Sequence, residues 1–233
     1  DYEIPLRGYR RPMVKTMTTQ AGIAHFGFSE EIEMDALIEL RQSVNAAGTA
    51  SGVKLTYLPI LMKGLSLALA EFPELNATPT QNLDAILVRR SHNIGVAMDT
   101  PSGLVVPNVK DCQARTIEEI AAELARLMAD AREGKVQTAD LTGGTITLSN
   151  IGAVGGGLVC APVLLPGELA ICALGRVQRL PRFDDNGNVV AKSPMTVSWA
   201  ADHRFVDGAT IARMTLRWKQ LLENPGAMLV GMR

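Results

Sequence analysis

The sequence predicts an α/β fold, a two-layer α/β sandwich with a mixed sheet, read as one domain over residues 1-233. Three observations carry this. Short β-prone runs interleave with amphipathic helix patterns, the arrangement that gives layered α/β architectures. Several strand candidates follow one another without an intervening helix, which favours a mixed over a purely parallel sheet. No internal repeat, low-complexity tract or clean linker divides the chain, whose length suits one large domain or two small ones.

Residues 1–12, with Pro5, Gly8, Arg10, Arg11 and Pro12, read as an extended arm. Met13 to Thr19 follows as a short helix. From Ile23 to Met34, Phe26, Phe28, Ile32 and Met34 alternate with polar residues, the period of a half-buried strand. Asp35 is placed to N-cap a helix carrying Leu37, Ile38, Leu40 and Val44, closed by Ala46-Ala47-Gly48. Thr56 to Phe72 is the most apolar helix and should lie at the centre of the core, with Pro73 stopping it.

Ala85 to Arg89, Ile94 to Met98 and Leu104 to Val109 are short strands, separated by Ser91-His92-Asn93 and by Asp99 to Gly103. His92 is most simply a turn residue. Thr116 and Glu119 form a capping box that opens a helix ended by Gly134. Thr145 to Leu148 and Glu168 to Leu174 are strands on either side of a glycine-rich connection, Gly152 to Gly157. Asp184-Asp185-Asn186-Gly187 is a hairpin turn between Phe183 and Val189-Val190. The last helix carries Ile211, Met214, Thr215, Trp218, Leu221 and Leu222 at helical spacing, a packing stripe rather than a ligand box.

Composition removes several function classes. Hydrophobic residues make up 47% and charged residues 20%, enough to bury a sizeable core. Aromatics are only 4%, so aliphatic side chains and Met must fill that core. A formal net charge of -1 without a basic patch argues against nucleic acid as a partner. No apolar run reaches membrane-spanning length, so no membrane partner is expected. Cys112, Cys160 and Cys172 are irregularly spaced and odd in number, which suits buried free thiols better than disulfides. The same scarcity of ligands argues against a metal site. The chain starts at Asp1-Tyr2-Glu3 and reads as a fragment of a longer protein, without its targeting information.

The glycine-rich connection lacks the Gly-x-Gly-x-x-Gly spacing of a dinucleotide fingerprint and the Gly-Lys-Ser/Thr of a P-loop. Pro162 and Pro166 also spoil a following helix, which leaves a tight or mobile connection.

The stretch of greatest chemical interest is Ser198 to Gly208. His203 sits where the last strand gives way to the last helix, with Asp207 four residues later and Gly208 behind it. Histidine on such a rigid junction suits general acid–base work, because its ordinary pKa lies close to neutral. A plain strand end and turn is the alternative that spacing alone leaves open.

The string Asp202-His203-Arg204-Phe205-Val206-Asp207-Gly208 resembles the His-x-x-x-Asp-Gly signature of the chloramphenicol acetyltransferase-like fold. In this form it is similar to the dihydrolipoamide acyltransferases of 2-oxo acid dehydrogenase complexes. Met13 to Met17, Ala24 to Gly27, His92 to Thr100, Gly103 to Val109 and Leu141 to Gly152 resemble further strings of that catalytic domain, in order along nearly the whole chain. Within the family the strings look most like the branched-chain 2-oxo acid complex, with the pyruvate complex as runner-up.

The resemblance implies transfer of an acyl group from a dihydrolipoyl thiol to coenzyme A, with coenzyme A as a substrate and the lipoyl group on a separate domain. His203 would be the general base and Ser149 the oxyanion donor, while Asp207 would organise the site. Arg41, Thr56, Asp99, Ser149, Asn150 and Gly175 fall on coenzyme A-binding positions, Arg41 being suited to a phosphate; the simpler reading of Arg41 is a solvated helix charge. The loop Gly155 to Pro162 is one residue longer than in familiar relatives, and Pro166-Gly167-Glu168 replaces a more usual Pro-Glu. The resemblance further implies a homotrimer with His and Ser donated by different chains, assembled into a 24-mer or 60-mer core. It implies 2-oxo acid decarboxylase and dihydrolipoamide dehydrogenase partners held through lipoyl and subunit-binding domains upstream. The compartment would be the mitochondrial matrix for a eukaryotic source and the cytoplasm for a bacterial one. Competing readings are the acetyltransferase of the pyruvate complex, a mainly structural core scaffold, and an acetyltransferase of free small molecules.

Overall fold

The computed structural model describes residues 1–8, 10–49, 52–101, 103–155 and 158–231. In order, the elements are α1 (Arg10–Gln20), β1 (His25–Glu33), α2 (Asp35–Ala47), α3 (Tyr57–Glu71), β2 (Ala77–Pro79), β3 (Ile86–Val88), β4 (Ile94–Thr100), β5 (Gly103–Val105) and β6 (Asn108–Val109). They continue with α4 (Ile117–Glu133), α5 (Thr138–Leu141), β7 (Ile146–Asn150), β8 (Ala170–Val177), β9 (Leu180–Phe183), β10 (Val189–Lys192), β11 (Pro194–Asp202), α6 (Gly208–Glu223) and α7 (Pro225–Gly231).

The main sheet is mixed, with strand order β1-β11-β8-β7-β4-β5 and β6 also pairing β4. Its centre, β4-β7-β8, is parallel. The flanking pairs β11-β8, β1-β11 and β4-β5 are antiparallel. This is the mixed sheet the sequence predicts.

Successive side chains of a strand point to opposite faces, and here the two faces differ sharply in bulk. Ile94, Val96, Met98, Ile146, Leu148, Cys172, Leu174, Val197 and Trp199 join Leu37 of α2, Leu65 of α3, Leu124 of α4 and Met214 of α6 in one buried core. The alternate positions Gly95, Ala97, Thr147, Ser149 and Ile171 line a cavity on the other face. Trp199 meets Trp218 edge-on at 5.8 Å and 70°, a geometry worth ~0.5–1.5 kcal/mol beyond area burial. Trp218 also donates its indole N–H to the Leu61 carbonyl at 3.1 Å, locking α6 to α3. Within α3, buried Lys63 donates to the carbonyls of Cys112, Gln113 and Arg115. Burial pulls its pKa down.

The predicted capping box holds: Thr116 accepts from the Glu119 N–H and Glu119 accepts from the Thr116 N–H. The Asp184–Gly187 hairpin joins β9 to β10 as predicted. Other expectations are corrected. The arm ends by residue 8, because Arg10, Arg11 and Pro12 already lie in the first turn of α1, where Pro12 lacks only a donor that a helix start leaves unpaired. Met34, not Asp35, occupies the N-cap of α2; Asp35 instead accepts from the Ser193 N–H. The run Leu104 to Val109 splits into β5 and β6 around Val106-Pro107. His92 does lie in the connection between β3 and β4, but it is buried there, its Nδ1 2.8 Å from Ser66 Oγ, and desolvation pulls its pKa down so that it is neutral at pH 7. Cys112 and Cys172 are buried as expected, whereas Cys160 is only partly so. Tyr9 of the predicted arm, Ser102 of the turn after β4, and Gly156 and Gly157 of the glycine-rich connection lie outside the described residues.

Gly95 tests the close packing of the cavity face. A Cβ there would stand 2.5 Å from Thr147 Oγ1 and 3.2 Å from Val106. Gly95→Ala is expected to cost ~1–3 kcal/mol by overpacking, which lowers Tm by roughly 2–10 °C. Thermal unfolding checks it, and an unchanged Tm would contradict the contact.

Candidate active site

His203 leaves the end of β11 in a tight turn whose backbone is tied twice. The His203 N–H donates to the Ala24 carbonyl at 2.8 Å, and the N–H groups of Phe205 and Val206 both donate to the Asp202 carbonyl. Buried Asp202 also accepts from the Arg204 backbone and holds its guanidinium through two further bonds of 2.9 and 2.7 Å. The Phe26 ring lies 4.6 Å from the imidazole centroid. Nδ1 of His203 is 3.0 Å from the Val206 carbonyl oxygen. A carbonyl only accepts, so Nδ1 carries the proton and Nε2 of the neutral ring keeps a free lone pair. The ring itself is exposed. This is the tautomer and orientation a general base requires.

Asp207 is the N-cap of α6, its carboxylate accepting from the Thr210 N–H at 2.7 Å. That bond, more than any other contact, holds the carboxyl below the usual carboxylate range. Asp207 thus fixes the turn that presents the Val206 carbonyl to His203.

Ser149 stands on β7, half-buried, in the wall of a cavity of about 630 Å³. The cavity floor is β4, β7 and β8; α1 (Met13, Met17) and the 162–168 segment border it. The Ser149 hydroxyl has no hydrogen-bond partner among the described residues. Beyond Ser149 the chain turns into a short 3₁₀ segment, Ile151–Val154, with Asn150 accepting from the Ala153 N–H. A side chain at Gly152 would overlap the Gly175 carbonyl, so only glycine allows β7 and β8 to approach here. The glycine-rich connection is thus tight where it is described.

The register decides how the sequence-predicted residues group. Ser149 pairs with Ala173, and Ala173 with Ser198. His203 lies five residues further along β11, so it is roughly 17 Å from that row and two strands away. His203 and Ser149 of one chain do not meet. Asp99, Ser149, Asn150 and Gly175 gather at the C-terminal ends of the parallel strands β4, β7 and β8. Arg41 and Thr56 form a separate group: the Arg41 guanidinium lies 4.5 Å over the Tyr57 ring with its Nε unpartnered, and Thr56 N-caps α3 with its hydroxyl uncommitted to the cap.

Sequence reasoning missed Glu168 and Asn108. Both are buried residues of the cavity lining, and each leaves one oxygen without a partner among the described residues. A carboxylate abutting the apolar run Leu169-Ala170-Ile171 was the available signal.

The sequence model for 2-oxoacid dehydrogenases acyltransferase (catalytic domain) matches residues 1–230. The chain belongs to that family. It is 47% identical over its full length to the mitochondrial lipoamide acyltransferase component of the branched-chain alpha-keto acid dehydrogenase complex of Caenorhabditis elegans, covering 52% of that protein. It is 34% identical to the acetyltransferase component of the pyruvate dehydrogenase complex of Bacillus subtilis, over 97% of this chain and 51% of that one. The chain spans about half the length of the curated relatives it matches. Among solved structures, a dihydrolipoamide acetyltransferase of Azotobacter vinelandii superposes with a TM-score of 0.93 at 29% identity, covering 98% and 94% of the two chains. That enzyme was studied for the catalytic roles of a serine, a histidine and an asparagine four residues after the histidine. The cubic core of a pyruvate dehydrogenase multienzyme complex gives 0.92 at 29% identity with the same coverage. Chloramphenicol acetyltransferase, at 14% identity over 94% and 98% of the two chains, gives 0.53 and shares the fold.

The capping role of Asp207 is testable directly. Asp207→Ala should speed amide exchange at Thr210, while Asp207→Asn, which can still cap, should leave it slow. Slow exchange in the alanine variant would contradict the role.

Proposed function

We propose that this chain is the catalytic domain of a lipoamide acyltransferase that moves a branched-chain acyl group from a dihydrolipoyl thiol to coenzyme A. The family carries the acyltransferase class. The branched-chain preference rests on identity of 47–48% to branched-chain components of worm, mouse, cattle and Arabidopsis, against 34% to the Bacillus subtilis acetyltransferase.

The observation that carries the mechanism is the His203 tautomer. With Nδ1–H held by Val206, Nε2 accepts the proton of the coenzyme A thiol. The thiolate attacks the thioester carbonyl, and the Ser149 hydroxyl donates to the developing oxyanion. Collapse of the tetrahedral intermediate breaks the bond to the dihydrolipoyl sulfur, which takes the proton back from the imidazolium. Both nucleophile and leaving group are substrate thiols, so the enzyme supplies none of its own. Asp207 positions His203 through the turn and transfers no proton. Its place four residues after His203 matches the spacing of the histidine and asparagine studied in the Azotobacter enzyme.

The intrachain separation of His203 and Ser149 supports a site shared between chains, in a homotrimer that builds a 24-mer or 60-mer core. Asp99, Ser149, Asn150 and Gly175 would line the coenzyme A path, with Arg41 and the N-terminus of α3 at Thr56 meeting a phosphate. Residues 1–233 would form one catalytic domain, with lipoyl and subunit-binding domains upstream that recruit the decarboxylase and dehydrogenase partners. A eukaryotic source would place it in the mitochondrial matrix, the organelle named for its worm, mouse and plant relatives.

Acyl transfer from isobutyryl-, acetyl- and succinyl-CoA to dihydrolipoamide tests the reading. Isobutyryl-CoA should be preferred, and Ser149→Ala should lose on the order of 10²–10³ in kcat. An acetyl preference would reassign the chain to the pyruvate complex. Loss of transfer by the unaltered chain, with large assemblies intact, would favour the scaffold reading. Co-assembly of His203→Ala with Ser149→Ala chains should recover up to about a quarter of the activity, since a shared site re-forms wherever the two intact residues meet. No recovery would sink the interchain site.

A further inference from the structure

The cavity beside Ser149 is walled by apolar and small residues, yet two buried polar side chains on it are unsatisfied. Glu168 is only 5% exposed; its Oε1 accepts from Thr147 Oγ1 at 2.9 Å, and its Oε2 has no partner among the described residues. Asn108 is only 2% exposed. Its Nδ2 donates to the carbonyls of Asp140 and Thr142 at 2.8 and 3.1 Å, which fixes the amide's orientation and leaves Oδ1 as an unpaired acceptor. Gly144 separates the two: a Cβ there would stand 3.2 Å from Glu168 Oε1 and 3.7 Å from Asn108 Nδ2. Thr147 and Ser149 share one face of β7, so this pair lies roughly 7 Å along the strand from the Ser149 position.

Burial without a cationic partner favours the neutral carboxylic acid, and desolvation pushes Glu168 up to about 8. The charged groups on the flanking elements are already engaged. Lys110 donates to the Thr142 carbonyl, Asp140 pairs with Arg126, and Asp202 with Arg204. With Oε1 accepting from Thr147, the acid's proton belongs on Oε2. Two residues of the cavity lining therefore leave one donor and one acceptor unpaired among the described residues. A secondary amide, with its carbonyl and N–H on opposite edges, is the group that satisfies both at once.

We propose that Glu168 and Asn108 form an amide-recognition site, Glu168 donating to the carbonyl and Asn108 accepting the N–H of the amide in a substrate's thiol arm. The inference rests on the acyl-transfer reading and names a contact within it. Both substrates carry such a group, coenzyme A as the two amides of its pantetheine arm and the lipoyl chain as the amide that joins it to its carrier. The buried pair makes the site selective, because an arm without the amide leaves two desolvated polar groups unpaired.

The test is steady-state transfer from isobutyryl-CoA to dihydrolipoamide, with 1,3-octanedithiol as an amide-free acceptor, for the unaltered chain, Glu168→Leu and Glu168→Gln. Glu168→Leu should raise the KM of one amide-bearing substrate on the order of 10- to 100-fold with little change in kcat. Movement of the dihydrolipoamide KM seats the lipoyl arm in the cavity; movement of the isobutyryl-CoA KM seats the pantetheine arm. The octanedithiol KM should hold. Glu168→Gln keeps a donor and an acceptor and should restore the KM. In the unaltered chain that KM should rise as pH passes about 8, where Glu168 ionises and loses its donor, and the glutamine variant should lack this rise. Three results overturn the proposal: neither KM moves, the octanedithiol KM rises as much as that of dihydrolipoamide, or glutamine fails to rescue. An inactive unaltered chain brings down the acyl-transfer reading and this inference with it, whereas an active one with unmoved KM values brings down the amide site alone.

Discussion

The two-residue alternation of the central strands is the constraint on which the rest depends. On β4, β7, β8 and β11 one set of positions carries Ile, Val, Leu, Met and Trp into the helix-covered core. The other set carries Gly95, Ala97, Thr147 and Ser149, side chains too small to fill the space above them, with Ile171 and Ala200 packed against Leu164 beside them. A one-residue slip would exchange the faces, so register is strongly specified. The same alternation that stabilises the sheet therefore keeps a cavity open on its far side. Stability comes from one face and chemistry from the other, on the same residues' neighbours.

Register also separates the two groups that the proposed acyl transfer uses. Ser149 is fixed through Ala173 to Ser198, and His203 lies beyond the end of that strand. No side-chain rotation spans such a gap, because the serine side chain is short and the His203 ring is pinned by Val206 and Phe26. A lone chain holds two rigid half-sites. In the proposed acyl-transfer mechanism, joining them would take another copy, which would make assembly a precondition for chemistry rather than a means of raising stability alone.

Much of this was legible in the sequence. The capping box at Thr116, the hairpin at Asp184 and the junction at His203 rest on local rules, where a few neighbours decide the backbone, and they stand as expected. What local rules could not reach depends on packing. His92 looked like a turn residue because nothing near it in sequence announces Ser66, 26 residues away, as its partner. Asp35 has the chemistry of a cap but is drawn off by the Ser193 N–H, which only the β1–β11 pairing brings close. Pro107 broke a predicted strand because it cannot donate to the ladder. Glu168 was visible as a departure in its loop, yet its burial depends on Thr147 and Gly144 across the sheet.

Exposure of the half-sites follows from the same physics. An oxyanion donor is worth most where water is excluded, since its dipole then acts through a low dielectric. Ser149 is half-buried at the cavity wall, and His203 is open to solvent in the single chain. In the proposed mechanism the serine hydroxyl gains its leverage only when a substrate and a covering surface displace water from the small-residue face. Glu168, buried already, needs no such cover to remain neutral. On the proposed reading, the Glu168 part of the cavity is organised within one chain, while its reacting end would be completed by another. That ordering would let a substrate arm be recognised before the groups proposed to act on its thiol are sealed from water.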